Sequence, residues 1–158
     1  GPHEATMDHK GWVHLKMSEV NAVEHGNDFH VTNTGSPHYI KQVHNVQALD
    51  VYAEGKSIRY NERFTKEGIN VNFVEQQQDG LFVRTYERGV ENETYSCGTG
   101  VTAVALAMFD TKQTTSSKVY LKTQGGDLSV SFVKKENTYT NIVLSGPATQ
   151  VYKGIWEV

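Results

Sequence analysis

The sequence predicts an α+β fold in which a curved, mostly antiparallel sheet wraps around one central buried helix. Most of the chain consists of short segments in which apolar and polar residues alternate, as they do in half-buried strands. Residues 98–109 break this pattern, because they contain no charged side chain and only two threonines among apolar and small residues. A helix that is apolar on every side is a buried one, so we expect the strands to enclose it.

The strands follow one another along the chain, with turn-forming residues between several of them. Residues 12–17 alternate, which places Val13, Leu15 and Met17 on one face. Strands are predicted, in order, at residues 12–17, 29–32, 39–43, 69–73, 81–86, 119–122, 128–133, 139–144 and 150–156. Turns are predicted at Gly35-Ser36-Pro37, Asp79-Gly80, Gly125-Gly126-Asp127 and Glu136-Asn137. The charged residues 54–66 predict a surface helix that ends at Gly68.

The length and charge of the chain limit the classes of protein to which it can belong. Its 158 residues (17.7 kDa) are enough for a single domain over 1–158 and too few for two full-sized ones. Lys and Arg total 15 against 18 Asp and Glu, which argues against a nucleic-acid-binding protein. We expect no membrane segment and no signal peptide. The seven histidines do not group with carboxylates or cysteines at metal-site spacings, so no metal site is expected.

Cys97 is the single cysteine, so no disulfide can form within the chain, and we expect a reducing, cytoplasmic location. It directly precedes the predicted buried helix. The unpaired N–H groups and the dipole at a helix start bind anions and lower the pKa of a thiol. The sequence therefore predicts an ionisable thiol beside the Gly98 and Thr99 amides, where a carboxylate can bind. The alternative interpretation is a small, buried, inert side chain.

Five other polar residues are candidates for the same site. Glu87 and Arg88 end a predicted strand, where they either hold a charged substrate or form an ordinary surface ion pair. Ser36 and His38 lie in a tight turn, and a lone histidine of this kind is more often structural than catalytic. Asn70 lies in an alternating strand although asparagine is a poor strand former; its alternative is an exposed polar face.

These residues lie in motifs that resemble those of the diaminopimelate epimerase family. Glu87-Arg88-Gly89, then Glu93-Thr94, then Cys97-Gly98-Thr99-Gly100 resemble the second catalytic signature of the family. Gly35-Ser36-Pro37-His38 resembles its Gly-Asn-Pro-His turn, and residues 68–73 resemble its substrate-binding asparagine strand. Residues 3–5 and the strand after them resemble the entry into the second half of the family. The four motifs occur in order and cover nearly the whole chain.

The resemblance implies a cofactor-independent isomerase that interconverts the LL and meso forms of diaminopimelate in lysine and cell-wall biosynthesis. It implies two similar halves, each a sheet around a central helix, with the active site in the cleft between them. Two cysteines, one from each half, act on opposite faces of the α-carbon. The reaction needs two such groups, because inversion returns the proton to the face opposite the one it left.

The resemblance also implies a role for each matching position of this sequence. Cys97 is the implied acid/base of this half. The remaining implied roles are the following: Gly98 and Thr99 hold the α-carboxylate, Glu87 and Arg88 contact the reacting amino-acid end, Glu87 and His38 tune the thiol pKa, and Asn70 and Ser36 bind substrate. Ser36 stands where the family more often has asparagine, and the loop 89–97 is one residue longer than in many members.

This sequence has neither a second cysteine nor the first-half motif of the family. We therefore expect residues 1–158 to be the C-terminal half of a two-domain epimerase that is inactive alone. Its expected partners are the missing N-terminal half and a small-molecule substrate, and uncovered apolar surface favours self-association into a homodimer. Three alternatives remain open: a proline or hydroxyproline racemase, a cysteine-nucleophile hydrolase with a histidine base beside Cys97, and a non-catalytic binding module of the same fold.

Overall fold

The computed structural model describes residues 2–156, and that part of the chain forms eleven strands and two α-helices. The strands are β1 (Ala5–Met7), β2 (Trp12–Lys16), β3 (Glu24–His25), β4 (His30–Asn33), β5 (Pro37–Gln42), β6 (Asn70–Gln77), β7 (Gly80–Glu87), β8 (Asn92–Thr94), β9 (Lys118–Thr123), β10 (Gly126–Lys135) and β11 (Thr138–Pro147). The helices are α1 (Val51–Arg59) and α2 (Gly98–Asp110), and a 3₁₀ helix spans Val46–Ala48. Neither helix combines the length and apolarity needed to cross a membrane.

All the strands belong to one sheet, with the order β1-β2-β11-β10-β9-β7-β6-β5-β4-β3 and with β8 paired to β7. Neighbouring strands are antiparallel except for two parallel pairs, β5 with β6 and β7 with β9. Parallel pairing requires a crossover, and the two crossovers carry α1 and α2 respectively. The pairing of β2 with β11 joins the two ends of the described chain, with Leu15 opposite Leu144.

The helix α2 lies inside the curve of this sheet. It contacts β4, β5 and β6 towards one end of the strand order and β9, β10 and β11 towards the other. One helix can touch strands so far apart in a sheet only if the sheet bends around it. Every residue from Gly100 to Met108 is buried, as the absence of charge in this segment predicted. The predicted α+β class, with a mostly antiparallel sheet around one buried helix, is confirmed.

Two apolar clusters stabilise the two sides of the sheet. The larger one is built on α2, where Val104 and Leu106 are completely buried among side chains of β7, β9, β10 and β11. The smaller one lies under α1, where Val51 packs with Phe73 and Tyr86. Gly55 permits this packing, because a Cβ on it would lie 2.4 Å from Cβ of Tyr86. Full burial of a side chain such as Leu106 contributes about 2 kcal/mol.

Two of the predicted elements differ from the structure. The helix predicted at 54–66 spans Val51–Arg59 instead. It starts earlier because Asp50 caps it by accepting a hydrogen bond from the Ala53 N–H, and it ends earlier, with Tyr60 as its C-cap. Residues 61–67 then form turns, and the segment ends at Gly68 as predicted, where the backbone φ is +74°. The strand predicted at 150–156 is wrong: these residues form no strand and find no strand partner within residues 2–156. The short strands β1, β3 and β8 were not predicted.

Candidate active site

The sheet brings three chain segments to the start of α2. β5 and β6 are parallel, with His38 opposite Asn70, so both begin at the same edge. β7 is antiparallel to β6, so it ends at that edge, where Glu87 and Arg88 lie. Cys97 is the residue that precedes α2, with extended backbone angles of φ −129° and ψ 109°. The topology therefore gathers every candidate site residue from the sequence at one edge.

Three of these side chains form a close hydrogen-bonded group. Nε2 of His38 lies 3.0 Å from Oγ1 of Thr99 and 2.9 Å from Oγ of Ser36. The two hydroxyls are 3.3 Å apart, and Oγ1 of Thr99 lies 3.5 Å from Sγ of Cys97. The backbone at Thr99 is also held in place, because the Thr34 hydroxyl donates to its carbonyl at 2.8 Å. The turn predicted around Ser36 thus meets the first turn of the buried helix.

Asn70 is buried and connects this group to the end of β7. Its Nδ2 donates to Oγ of Ser36 at 3.2 Å and to the carbonyl of Pro37 at 3.0 Å. Its Oδ1 accepts from the N–H of Arg88 at 2.9 Å. Both amide hydrogens are therefore used within the protein, and within residues 2–156 Oδ1 accepts from no donor other than the N–H of Arg88, so its second lone pair has no partner there. The exposed polar face considered for Asn70 is excluded, since only 4% of the residue is exposed.

Glu87 and Arg88 have separate partners. Oε2 of Glu87 accepts from the Thr94 hydroxyl at 2.9 Å, which ties the carboxylate to β8. The guanidinium of Arg88 donates to the carbonyl of Glu67 at 3.0 Å. Within residues 2–156 these two neighbours form no ion pair with each other, so the ordinary surface ion pair is excluded. Each charge instead acts through space on one neighbour in the site: Arg88 lowers the pKa of His38, and Glu87 raises the pKa of Cys97.

Burial controls the acid–base behaviour of Cys97. It raises the pKa of the thiol above its ordinary value, and the negative charge of Glu87 acts in the same direction. The Thr99 hydroxyl and the Gly100 and Thr99 amides lower the pKa, but they do not offset the burial. The expectation of a lowered thiol pKa is therefore wrong for this chain. The helix start acts as predicted, yet the desolvation of the sulfur outweighs it.

His38 is fully buried and neutral at physiological pH. Burial lowers its pKa to about 3, and the positive charge of Arg88 contributes to the decrease. Its imidazole makes no hydrogen bond to the Cys97 sulfur within the described chain; it reaches the sulfur only through Thr99. A cysteine-nucleophile hydrolase needs a histidine base on the sulfur itself, so this geometry excludes that alternative.

Two residues of the site were not predicted. Asn72 is completely buried, and its Nδ2 lies 3.1 Å from Nδ1 of His38. Thr94 holds Glu87. A signal for Asn72 was available, because it follows Asn70 by two positions and therefore shares its face of the strand.

Across residues 2–156 no group of three or more His, Cys, Asp or Glu side chains is arranged to hold a metal ion.

Comparison with known proteins agrees with this geometry. The family model described as diaminopimelate epimerase matches residues 30–151. A diaminopimelate epimerase of Flavobacterium psychrophilum is 44% identical over 97% of this chain and 60% of its own length. A second, of Chlorobaculum tepidum, is 46% identical over 79% of this chain and 48% of its own length. The chain thus spans about half the length of the curated relatives it matches.

Solved structures of low sequence identity share the fold. A hydroxyproline epimerase from Agrobacterium vitis superposes with a TM-score of 0.65 at 13% identity, covering 92% of this chain and 53% of that protein. A phenazine biosynthesis protein of the PhzF family from Bacillus anthracis gives a TM-score of 0.50 at 17% identity, covering 77% of this chain and 38% of that protein. On the family model and the sequence relatives together, the chain belongs to the diaminopimelate epimerase family.

Proposed function

We propose that this chain supplies one half of the active site of a cofactor-independent epimerase that interconverts LL- and meso-diaminopimelate. The observation that carries the proposal is the position of Cys97 directly before the buried helix α2, beside Thr99 and at the edge where β5, β6 and β7 converge. An acid/base group next to unpaired helix N–H groups is suited to an amino acid whose α-carbon gains negative charge. Membership of the family supplies the substrate class.

Inversion proceeds by two proton transfers at the α-carbon. A thiolate removes the α-proton, the electron pair of the C–H bond stays on the substrate, and a thiol on the opposite face returns a proton to that carbon. Cys97 performs one of these transfers in each direction of the reaction. Since the chain has one cysteine, the second group belongs to an N-terminal half, and residues 1–158 act as the C-terminal domain. The raised thiol pKa favours the neutral form of Cys97, which is the form that donates a proton.

The substrate carboxylate binds at the start of α2. The N–H groups of Gly98 and Thr99 lie in the first turn, where they have no partner within the helix. Their partial positive charge stabilises the carboxylate as negative charge accumulates on the adjacent carbon. Thr99 thus contributes its amide to the substrate and its hydroxyl to the sulfur.

The remaining side chains hold the amino-acid end of the substrate. The carboxylate of Glu87 attracts the substrate ammonium group, and Arg88 attracts a carboxylate. The free lone pair of Asn70 and the hydroxyl of Ser36 complete the contacts. Ser36 takes the place that the family more often gives to asparagine, and its shorter side chain is occupied with His38 and Asn70.

A free thiol also favours a reducing, cytoplasmic location, and we further propose self-association through uncovered apolar surface.

The test measures deuterium exchange at the α-carbon in heavy water. The 158-residue chain alone is expected to give no exchange with LL-diaminopimelate. A chimera joins residues 1–158 to the N-terminal half of the Flavobacterium psychrophilum relative, and its folding is checked by circular dichroism. It is expected to exchange deuterium, and Cys97→Ala is expected to reduce the rate by at least about 10²-fold. The exposed neighbour Ser96 provides the matched control, Ser96→Ala, which retains the rate.

Three results would contradict the proposal. Exchange by the chain alone that is lost in Cys97→Ala would show that no second half is required. Exchange of L-proline in place of diaminopimelate by the folded chimera would favour a proline racemase. A folded chimera that exchanges neither amino acid would favour a binding module.

A further inference from the structure

Asn72 lies on β6 and forms side-chain hydrogen bonds to both neighbouring strands, β5 and β7. Its side chain is completely buried on β6. Nδ2 donates to the carbonyl of Tyr39 at 3.0 Å and lies 3.1 Å from Nδ1 of His38, both on β5. Oδ1 accepts from the hydroxyl of Thr85 on β7 at 3.0 Å. Every hydrogen-bonding direction of the amide nitrogen is therefore occupied by a protein group.

These contacts fix which nitrogen of His38 carries the proton. The Tyr39 carbonyl can only accept a hydrogen bond, so the amide nitrogen of Asn72, and not its oxygen, must face this side. Its second hydrogen points to Nδ1 of His38, which must accept. A neutral imidazole has one N–H, so this hydrogen is on Nε2. Nε2 is the atom that faces Thr99 and Ser36.

A directed chain of donors results. The Nε2–H of His38 points towards two hydroxyl oxygens, Oγ of Ser36 at 2.9 Å and Oγ1 of Thr99 at 3.0 Å. The Ser36 hydroxyl already accepts from Nδ2 of Asn70, so its own hydrogen is directed to Oγ1 of Thr99 at 3.3 Å. A hydroxyl that accepts there is free to donate its own hydrogen, and Sγ of Cys97 lies 3.5 Å away. If the proton of His38 were on Nδ1 instead, Nε2 would accept, either from the Thr99 hydroxyl, which would then turn away from the sulfur, or from the Ser36 hydroxyl, which would then no longer donate to Thr99.

We propose that Asn72 is a positioning residue that sets the direction of this chain, so that the Thr99 hydroxyl donates to the sulfur of Cys97 and favours its thiolate form. The inference rests on the proposed acid/base role of Cys97. Asn72 acts through His38 and Thr99 and does not itself touch the substrate. Two charged groups face the same atoms, Arg88 beside His38 and Glu87 beside Cys97, and neither changes when Asn72 is replaced.

The amide of Asn72 also packs against α2, the helix that Cys97 precedes. A Cβ on Gly100 would lie 2.5 Å from Oδ1 of Asn72 and 3.3 Å from Sγ of Cys97. The helix therefore approaches the amide and the sulfur as closely as a glycine allows. This contact leaves no room for the amide to rotate away from His38 without moving α2.

The test uses the 158-residue chain and needs no epimerase activity. The first measurement is the nitrogen chemical shifts of the His38 imidazole by NMR. The shift expected is that of an unprotonated Nδ1 and a protonated Nε2; a protonated Nδ1 would overturn the proposal without any variant. The second measurement is the pH dependence of Cys97 alkylation by iodoacetamide. Asn72→Leu, which keeps the size of the side chain, is expected to move the alkylation midpoint up by about one pH unit.

Two further variants separate positioning from loss of packing. Thr85→Val removes a buried hydrogen bond from the same amide and leaves its donation to His38, so it is expected to leave the midpoint unchanged. In a Thr99→Val background, Asn72→Leu is expected to cause no further shift, because the donor to the sulfur is already gone. If Asn72→Leu shifts the alkylation midpoint equally in the unmodified chain and in the Thr99→Val background, the proposal is contradicted. If the chimera shows no deuterium exchange while the 158-residue variants give the expected alkylation midpoints, the proposed function is contradicted and the positioning role of Asn72 is not.

Discussion

Oδ1 of Asn70 accepts a hydrogen bond of 2.9 Å from the backbone N–H of Arg88. This bond extends the contact between β6 and β7 beyond the last paired residues, Val71 and Tyr86. Because Nδ2 of Asn70 also donates to Ser36 and Pro37, a single side chain fixes the relative positions of three strand ends. The edge that carries the proposed substrate contacts is therefore held by buried hydrogen bonds.

Replacement of Asn70 is expected to destabilise this edge. Asn70→Ala leaves the N–H of Arg88 and the carbonyl of Pro37 without their partner, which costs about 1–3 kcal/mol in the free energy of unfolding. Urea denaturation followed by circular dichroism measures this change. Asn92→Ala provides the control, because Asn92 is exposed and, within residues 2–156, its side chain bonds only to the next residue, Glu93. A cost for Asn70→Ala no larger than that of Asn92→Ala would show that the three contacts do not stabilise the fold.

Gly100→Ala is expected to destabilise the protein, although alanine is the better helix former. The added Cβ would lie 2.5 Å from Oδ1 of Asn72, a side chain held on all sides. Overpacking of this kind costs about 1–3 kcal/mol, measured by thermal or urea unfolding. Gly98→Ala on the same helix is the matched variant, since its Cβ meets only the flexible end of Leu144 at 2.9 Å. We expect a clearly smaller loss there, and equal losses would argue against the Asn72 contact as the cause.

The ion pair between Arg84 and Glu93 is expected to be the most stabilising one in the described part of the chain. It is bidentate, with Nε–Oε1 at 2.6 Å and Nη2–Oε2 at 2.7 Å, and Nη1 also donates to the carbonyls of Val46, Gln47 and Leu49. Glu93→Gln leaves a largely buried guanidinium without its counter-charge, which costs about 3 kcal/mol in unfolding free energy.

The exposed pair of Lys122 and Asp79 supplies the comparison for that experiment. Their side chains are 42% and 74% exposed, so Asp79→Asn is expected to cost less than about 1 kcal/mol. Urea denaturation of both variants under the same conditions measures the difference. Similar losses would mean that burial of Arg84 and Glu93 adds nothing to their pairing.

His38 is expected to make the protein less stable as the pH falls. Its pKa is about 3 in the folded chain against 6.5 for an ordinary histidine, so below pH 6.5 the unfolded chain binds a proton that the folded one does not. Stability from this group is therefore complete above pH 6.5 and declines below it by about 1.4 kcal/mol per pH unit. Burial also lowers the pKa of His30, which adds to the decline.

Unfolding free energies at several values between pH 7 and pH 5 test this expectation. His38→Gln is expected to flatten the pH dependence, whereas His9→Gln at an exposed position leaves it as it is. NMR titration of the unmodified protein provides the second measurement. A His38 signal that titrates in the folded protein near pH 6 would refute the argument even if His38→Gln did not fold.

One face of the sheet packs on α2, so every second residue of a strand is apolar. The alternation of apolar residues therefore predicted most of the strands. The same pattern failed at residues 150–156, since alternation requires a partner strand that this segment does not have within residues 2–156. The start of α1 depends on the cap at Asp50, a local contact that the charge pattern alone did not reveal. Both differences between prediction and structure therefore depend on a specific contact, which residue propensities do not show.

The candidate site residues could be predicted to lie together, because the motifs that contain them meet at one sheet edge. Their acid–base properties were not predictable. The position of Cys97 before a helix indicates a lowered thiol pKa, but the burial that opposes it depends on how closely the folded chain packs around the sulfur. The role of Asn72 depends on three hydrogen bonds to two other strands, and a sequence shows none of them.

The pairing of β2 with β11 has a consequence for biosynthesis. His14 and Ser145, which share a hydrogen bond of 2.8 Å across these strands, are 131 residues apart. At an elongation rate of about 5–20 residues per second, the 131 residues between them take about 7–26 seconds to synthesise, and β2 has no β11 to pair with during that time. During that time β1 and β2 form a two-stranded hairpin with an open edge, which is marginal by itself and able to pair with other chains. Closure of the sheet is therefore a late event, and chaperone demand during synthesis falls on β1 and β2 until β11 is made.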